Sequence, residues 1–217
     1  MAEIFASRYV AQPPNVEQLL QLSEDSLGHA YATYLKTSGF EADFYRPLEV
    51  EDDVTYFLLR MRQTHDIWHL VAGFSTDVPG ELGLKAFELA QTRRPLSAVL
   101  LSGGVLSAVF KSALLNYGMN LPPSPQFWGS RISQSPPELG DLGGKSANNS
   151  DRFIFRFSNA FKSPTTLGPL LEQIAIGYRL SATAQPLLAQ RWEDHWGRSL
   201  EDWRSRLNLQ PVSHYSP

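Results

Sequence analysis

The sequence predicts an all-α fold: a single-domain, multi-helix bundle over residues 1–217, with a long Pro/Gly-rich loop between about 121 and 150. Three observations carry this expectation. Apolar residues recur at i, i+3, i+4 and i+7 through much of the chain. Capping residues and glycines stand where those stretches begin and end. Alternation suited to a strand occurs only in the short run Phe153-Ile154-Phe155-Arg156-Phe157.

Taken in order, a short first helix is expected with Asn15 as its cap and Val16, Leu19, Leu20 and Leu22 turned inward. Leu27, Ala30, Tyr31, Tyr34 and Leu35 keep helical spacing, and Gly39 can close that helix. Pro47 and the acidic group Glu49, Glu51, Asp52 and Asp53 introduce a third helix reaching Val71, with carboxylates where the helix dipole favours them. A turn over Ser75-Thr76-Asp77-Val78-Pro79-Gly80 leads to a fourth helix starting at Glu81 and ending before Pro95. Residues 96–110 are apolar with interspersed Ser97, Ser102, Gly103, Gly104 and Ser107. They read as a central buried helix or, alternatively, as a groove for a lipid tail. A helix returns from about Thr166 to Leu180 with Leu170, Leu171, Ile174 and Tyr178 inward, and the last runs from Leu200 to Leu207 after Trp192 and Trp196.

Composition excludes several function classes. A formal net charge of −3, with no basic run and no phosphate-cradling glycine fingerprint, argues against nucleic-acid binding. Zero cysteines exclude disulfides, thiol nucleophiles and thiolate-bound metals, and fit a cytoplasmic setting. The N-terminal residues lack the charged and apolar regions of a signal peptide. The fifteen residues 96–110 are too few for a bilayer crossing, which needs about 20.

The chemistry is concentrated in His65-Asp66-Ile67-Trp68-His69, followed after eleven residues by Glu81. At about 100° per residue, His65 and His69 lie roughly 40° apart on a helix and Asp66 about 100° from His65. A short link to an antiparallel helix brings Glu81 back over His69. His65, Asp66, His69 and Glu81 therefore form a candidate metal site of imidazole and carboxylate ligands, suited to a divalent ion, with zinc the expected metal. Ile67 and Trp68 are read as core residues. The stretch also matches the pattern His-Glu-x-x-His with Asp in place of Glu. There the second residue is a general base, and Asp66, one methylene shorter, reaches a metal-bound water poorly. Lys85 has two readings: a simple i,i+4 ion pair with Glu81, or a substrate-binding cation for a carboxylate or phosphate near the metal.

Together these residues resemble the coenzyme Q biosynthesis protein four family, whose motif His-Asp-x-x-His, eleven residues, Glu is matched by His65, Asp66, His69 and Glu81. Gly80 to Lys85, Leu27-Gly28-His29-Ala30-Tyr31, Lys36 to Phe40, Gln185 to Ala189 and Trp192-Glu193 are similar as well. The resemblance implies an all-helical protein with a bound divalent metal, required for ubiquinone synthesis. As partners it implies a polyprenylated ring intermediate or isoprenoid lipid, other quinone-biosynthesis enzymes and a membrane surface, with no nucleic acid. A homodimer and a peripheral place on the inner face of a membrane go with it, and because the chain shows no mitochondrial targeting segment of the kind eukaryotic members carry, a bacterial member is expected. Two function classes follow. One is a metal-dependent enzyme of oxidative decarboxylation and hydroxylation of the ring. The other is a prenyl-lipid-binding scaffold with a structural metal. A closed set of four protein ligands favours the scaffold, because catalytic sites keep a position open.

Overall fold

A computed structural model describes residues 6–39, 48–93, 95–116 and 167–212. Among these residues the elements are α1 (Val16–Leu19), α2 (Leu27–Ser38), α3 (Asp53–Ala72), α4 (Val78–Thr92), α5 (Pro95–Asn116), α6 (Leu167–Thr183), a 3-10 turn (Trp192–His195) and α7 (Leu200–Leu207). There is no strand among them, in keeping with the all-α expectation. The loop expected at about 121–150 and the strand expected at 153–157 fall outside the described residues.

The caps explain the helix boundaries. The Asn15 side chain accepts from Gln18 N, and Ser26 from His29 N. Asp52 and Thr55 form a reciprocal capping box at the start of α3. Gly39 and Gly73 close α2 and α3 in the left-handed conformation, with φ of 66° and 77°. The fourth helix begins earlier than the sequence suggests. Asp77 caps it, accepting from Gly80 N, so Val78, Pro79 and Gly80 belong to its first turn and Glu81 sits just inside the helix. The N-termini of α2 and α7 meet back to back: Leu27 N and Gly28 N donate to the carbonyls of Arg198 and Trp196, and Leu200 N donates to Asp25 O. Backbone donors that each helix start leaves over are thereby satisfied.

The main core gathers Leu27, Tyr31, Leu35, Ile67, Trp68, Leu70, Phe74, Leu84, Phe87, Trp192 and Trp203 around α3. Ile67 and Trp68 are buried, as expected of core residues. A second cluster, Val78, Leu82, Ala108 and Leu170, joins α4, α5 and α6. Among the described residues, the most extensive pairing of helices is α4 with α6. It is set by a glycine-on-glycine crossing, since a Cβ on Gly177 would stand 1.9 Å from the carbonyl oxygen of Gly83.

That crossing corrects the expected face of α6. Leu170, Gly177 and Ser181 are buried and Ile174 is partly buried, while Leu171 and Tyr178 are 46% and 63% exposed. The close approach at Gly177 fixes the rotation of the helix, and the larger apolar residues on the adjoining stripe turn outward.

The buried-helix reading of residues 96–110 is corrected too. The segment lies in α5 and packs one face on α4, where a Cβ on Gly104 would meet Leu82 at 2.7 Å. Val99, Leu106 and Val109 are 65%, 59% and 42% exposed on other faces. A helix apolar on all sides gives no phase, so the sequence alone could not say which face is covered. No described helix is long and apolar enough to cross a membrane.

Candidate metal centre

Helix α3 carries His65 and His69 on one face, one turn apart, with ring centroids 4.9 Å from each other at 89°. Gly73 ends the helix: its N–H donates to His69 O at 2.8 Å. Its positive φ admits a side chain only with strain, and a Cβ there would also meet Val212 O at 2.8 Å. The turn delivers the carbonyl of Phe74 to His69 Nδ1 at 3.0 Å. With Nδ1–H donating to that carbonyl, the lone pair of the neutral ring lies on Nε2. The Phe74 ring in turn lies over Gly83, where a Cβ would stand 2.7 Å from it, and Phe87 meets Trp68 edge-on at 6.0 Å. These contacts hold the start of α4 against the end of α3.

Glu81 therefore comes back over the histidines, as the short link predicts. Its Oε1 lies 3.4 Å from His69 Nε2 and its Oε2 3.7 Å from His65 Nε2. Among the described residues, His65, His69 and Glu81 form a group whose ligand atoms all lie within 4.8 Å of one another, and all three are buried. Both separations to Glu81 exceed a good hydrogen bond. Among the described residues, His69 Nε2 and Glu81 Oε2 have no hydrogen-bond partner. Burial, with the Lys85 ammonium acting in the same direction, lowers the pKa of His65 and favours the neutral ring. Burial also disfavours charge on His69, but the Glu81 carboxylate outweighs it and raises that pKa. Glu81 resists burial through the two imidazoles, His69 foremost, and stays ionised with its pKa held well below the usual carboxylate range. A neutral imidazole, a second imidazole and an anionic oxygen aimed at one place can hold a divalent cation.

Asp66 is not brought into this group. It is only partly buried, and its Oδ1 accepts from the Tyr34 hydroxyl at 3.3 Å. Lys85 also departs from the simplest expectation. It is buried, and its Nζ pairs at 2.5 Å with Glu88, three residues on, where the sequence suggests Glu81, four residues back. Glu88 is a site neighbour that the sequence reading missed. It is buried beside Lys85, and its other oxygen accepts from Ser97 Oγ of α5 at 2.6 Å. The available signal was its spacing, since Glu81, Lys85 and Glu88 fall at i, i+4 and i+7 on one helix face.

Comparison with known proteins gives a consistent result. Residues 4–118 match the profile of the family described as coenzyme Q (ubiquinone) biosynthesis protein Coq4. The mitochondrial ubiquinone biosynthesis protein COQ4 of Mycosarcoma maydis is 26% identical over 209 residues, covering 90% of this chain and 47% of its own length. The mitochondrial coq4 protein of Aspergillus fumigatus is 36% identical over 94 residues, 42% of this chain and 33% of its own. A crystal structure of a Nostoc punctiforme protein assigned to ubiquinone biosynthesis superposes with a TM-score of 0.61 at 30% identity, covering 95% of this chain and 73% of that one. The chain spans about half or less of the length of these two fungal relatives. With more than half of its residues inside the family profile, the chain belongs to the coenzyme Q (ubiquinone) biosynthesis protein Coq4 family.

Proposed function

We propose that the protein binds a divalent metal, zinc in the first instance, through His65, His69 and Glu81, and acts on a polyprenylated ring intermediate of ubiquinone or a related prenylquinone. The reaction would replace the ring carboxylate by a hydroxyl at the same carbon: the C–C bond breaks with loss of CO2, a C–O bond forms, and a peroxide supplies the oxygen and takes up the two electrons as its O–O bond breaks to leave water, since zinc changes no oxidation state. The observation that carries the reading is the pair of buried polar atoms, His69 Nε2 and Glu81 Oε2, that have no hydrogen-bond partner among the described residues. Each such group left in the interior costs about 1–3 kcal/mol, and one cation would satisfy both. A bound metal would supply Lewis-acid polarisation of a ring carboxylate or phenolic oxygen. Three protein ligands leave a position for that oxygen, which supports an enzyme. The isoprenoid tail would lie along the exposed apolar faces of α5, and the protein would work at a membrane surface beside other enzymes of the pathway.

The second reading is a prenyl-lipid scaffold with a structural metal; it requires Asp66, which lies outside the group of three and accepts from Tyr34 at 3.3 Å, to give up that contact and close the set at four. Elemental analysis of purified variants tests both. His65→Ala and Glu81→Ala should each lose most of the metal, because removing one ligand leaves a poor site. Full occupancy in both would overturn the assignment. Asp66→Ala should keep its metal if three ligands suffice, and lose it as readily as Glu81→Ala if the site is closed.

A further inference from the structure

Lys85 has two carboxylates within reach along its own helix, Glu81 one turn before it and Glu88 one turn after. All three side chains are buried, where an ammonium needs a carboxylate partner. Nζ pairs with Glu88 Oε2 at 2.5 Å, and Glu88 Oε1 is occupied by the Ser97 hydroxyl of the neighbouring helix at 2.6 Å. Glu81 Oε2 is left with no hydrogen-bond partner among the described residues and lies 3.7 Å from His65 Nε2. The choice between the two carboxylates thus decides whether Glu81 is a metal ligand or one half of an ion pair. A strong nearby ammonium on Glu81 would compete directly with a cation for the same oxygen.

We propose that Glu88, clamped by Ser97, is a positioning residue for the His65/His69/Glu81 centre: by engaging Lys85 it keeps that ammonium off Glu81 and leaves the Glu81 carboxylate available to a metal ion. This rests on the metal reading given above and adds a residue that touches neither metal nor substrate. Such outer partners commonly control metal affinity as strongly as a ligand's own orientation does. The mutual influence of the groups is consistent with the placement, since the Glu88 carboxyl is held below its ordinary range against the effect of burial, by Lys85 first and then Ser97, with His65 also contributing.

The test is metal affinity, by chelator competition with zinc on folded protein, for wild type, Glu88→Gln, Ser97→Ala, Lys85→Met and the double variant Lys85→Met/Glu88→Gln. Circular dichroism serves as the check that each is folded. Glu88→Gln should bind zinc roughly 10- to 100-fold more weakly, because Lys85 turns to Glu81. Ser97→Ala should weaken it by a smaller factor. Lys85→Met should bind at least as tightly as wild type, and the double variant should recover wild-type affinity, since no ammonium remains to compete. A purely structural Glu88 would lower the melting temperature and leave the affinity of folded protein unchanged, which would overturn the proposal. Weak binding that persists in the double variant would also overturn it. Should Glu88→Gln fail to fold, Ser97→Ala and the double variant carry the same comparison. Failure of wild type and His65→Ala alike to bind zinc would remove the metal reading itself, and this inference with it.

Discussion

The helix crossing at Gly83 and Gly177 yields a test in which one substitution has opposite signs at two positions. A Cβ on Gly177 would lie 1.9 Å from Gly83 O and 2.8 Å from Gly83 C, whereas ordinary contact begins near 3.4 Å. The opposing atoms belong to helix backbone and cannot rotate away, so Gly177→Ala must push α6 from α4 by about 1.5 Å or tilt it. Overpacking typically costs about 1–3 kcal/mol, and a backbone obstacle places this change at the upper end. At ~2–4 °C per kcal/mol for a chain of this size, the melting temperature should fall by about 6–12 °C. Gly103, also inside a helix, has nothing among the described residues within 4 Å of the place a Cβ would occupy. Gly103→Ala should therefore stabilise by about 0.5–1 kcal/mol through lost backbone freedom in the unfolded chain. Urea unfolding of both variants beside wild type measures the two effects. A Gly177→Ala protein within about 0.5 kcal/mol of wild type would refute the crossing as the determinant of α6 packing. So would a Gly103→Ala protein as destabilised as Gly177→Ala.

Two other expectations concern the frame around the site. The fully buried Arg60 pairs with Glu193 at 2.8 Å, donates to Gln63 Oε1 and Gln190 O, and lies over the Tyr9 ring. Arg60→Ala should therefore cost about 3–5 kcal/mol in urea unfolding, and a loss below about 1 kcal/mol would show the pair to be dispensable. Asp52 caps α3, and its hydrogen bonds from Thr55, backbone first, lower its pKa. A depressed carboxylate pKa means that its stabilisation is present above the unfolded pKa and is lost as pH falls through the folded one. Asp52→Asn keeps a capping acceptor without titrating, so the stability gap between wild type and variant should narrow on acidification. A gap constant with pH would rule out this linkage.

Local geometry follows from the sequence alone: helix caps at Asn15 and Gly39, an acidic start to α3 within Glu49–Asp53, the common face of His65 and His69, and the return of Glu81 across a short turn. These depend on the 100° step, on side chains that satisfy helix ends and on a connection too short to lead elsewhere. Tertiary structure decided the rest. Residues 96–110 carry large apolar residues on every side, so only the packing of α5 on α4 shows that Gly104 and Ala108 are covered while Val99 and Leu106 face out. Periodicity offered Leu171 and Tyr178 as inward residues, and the approach of Gly177 to the Gly83 carbonyl rotated them outward. Lys85 had carboxylates at i−4 and i+3 with similar local geometry, and Ser97, on a different helix, completes the network around the one it takes. A residue's neighbours along its own helix follow from a period of 3.6, whereas its partners on other helices depend on crossings that no local period encodes.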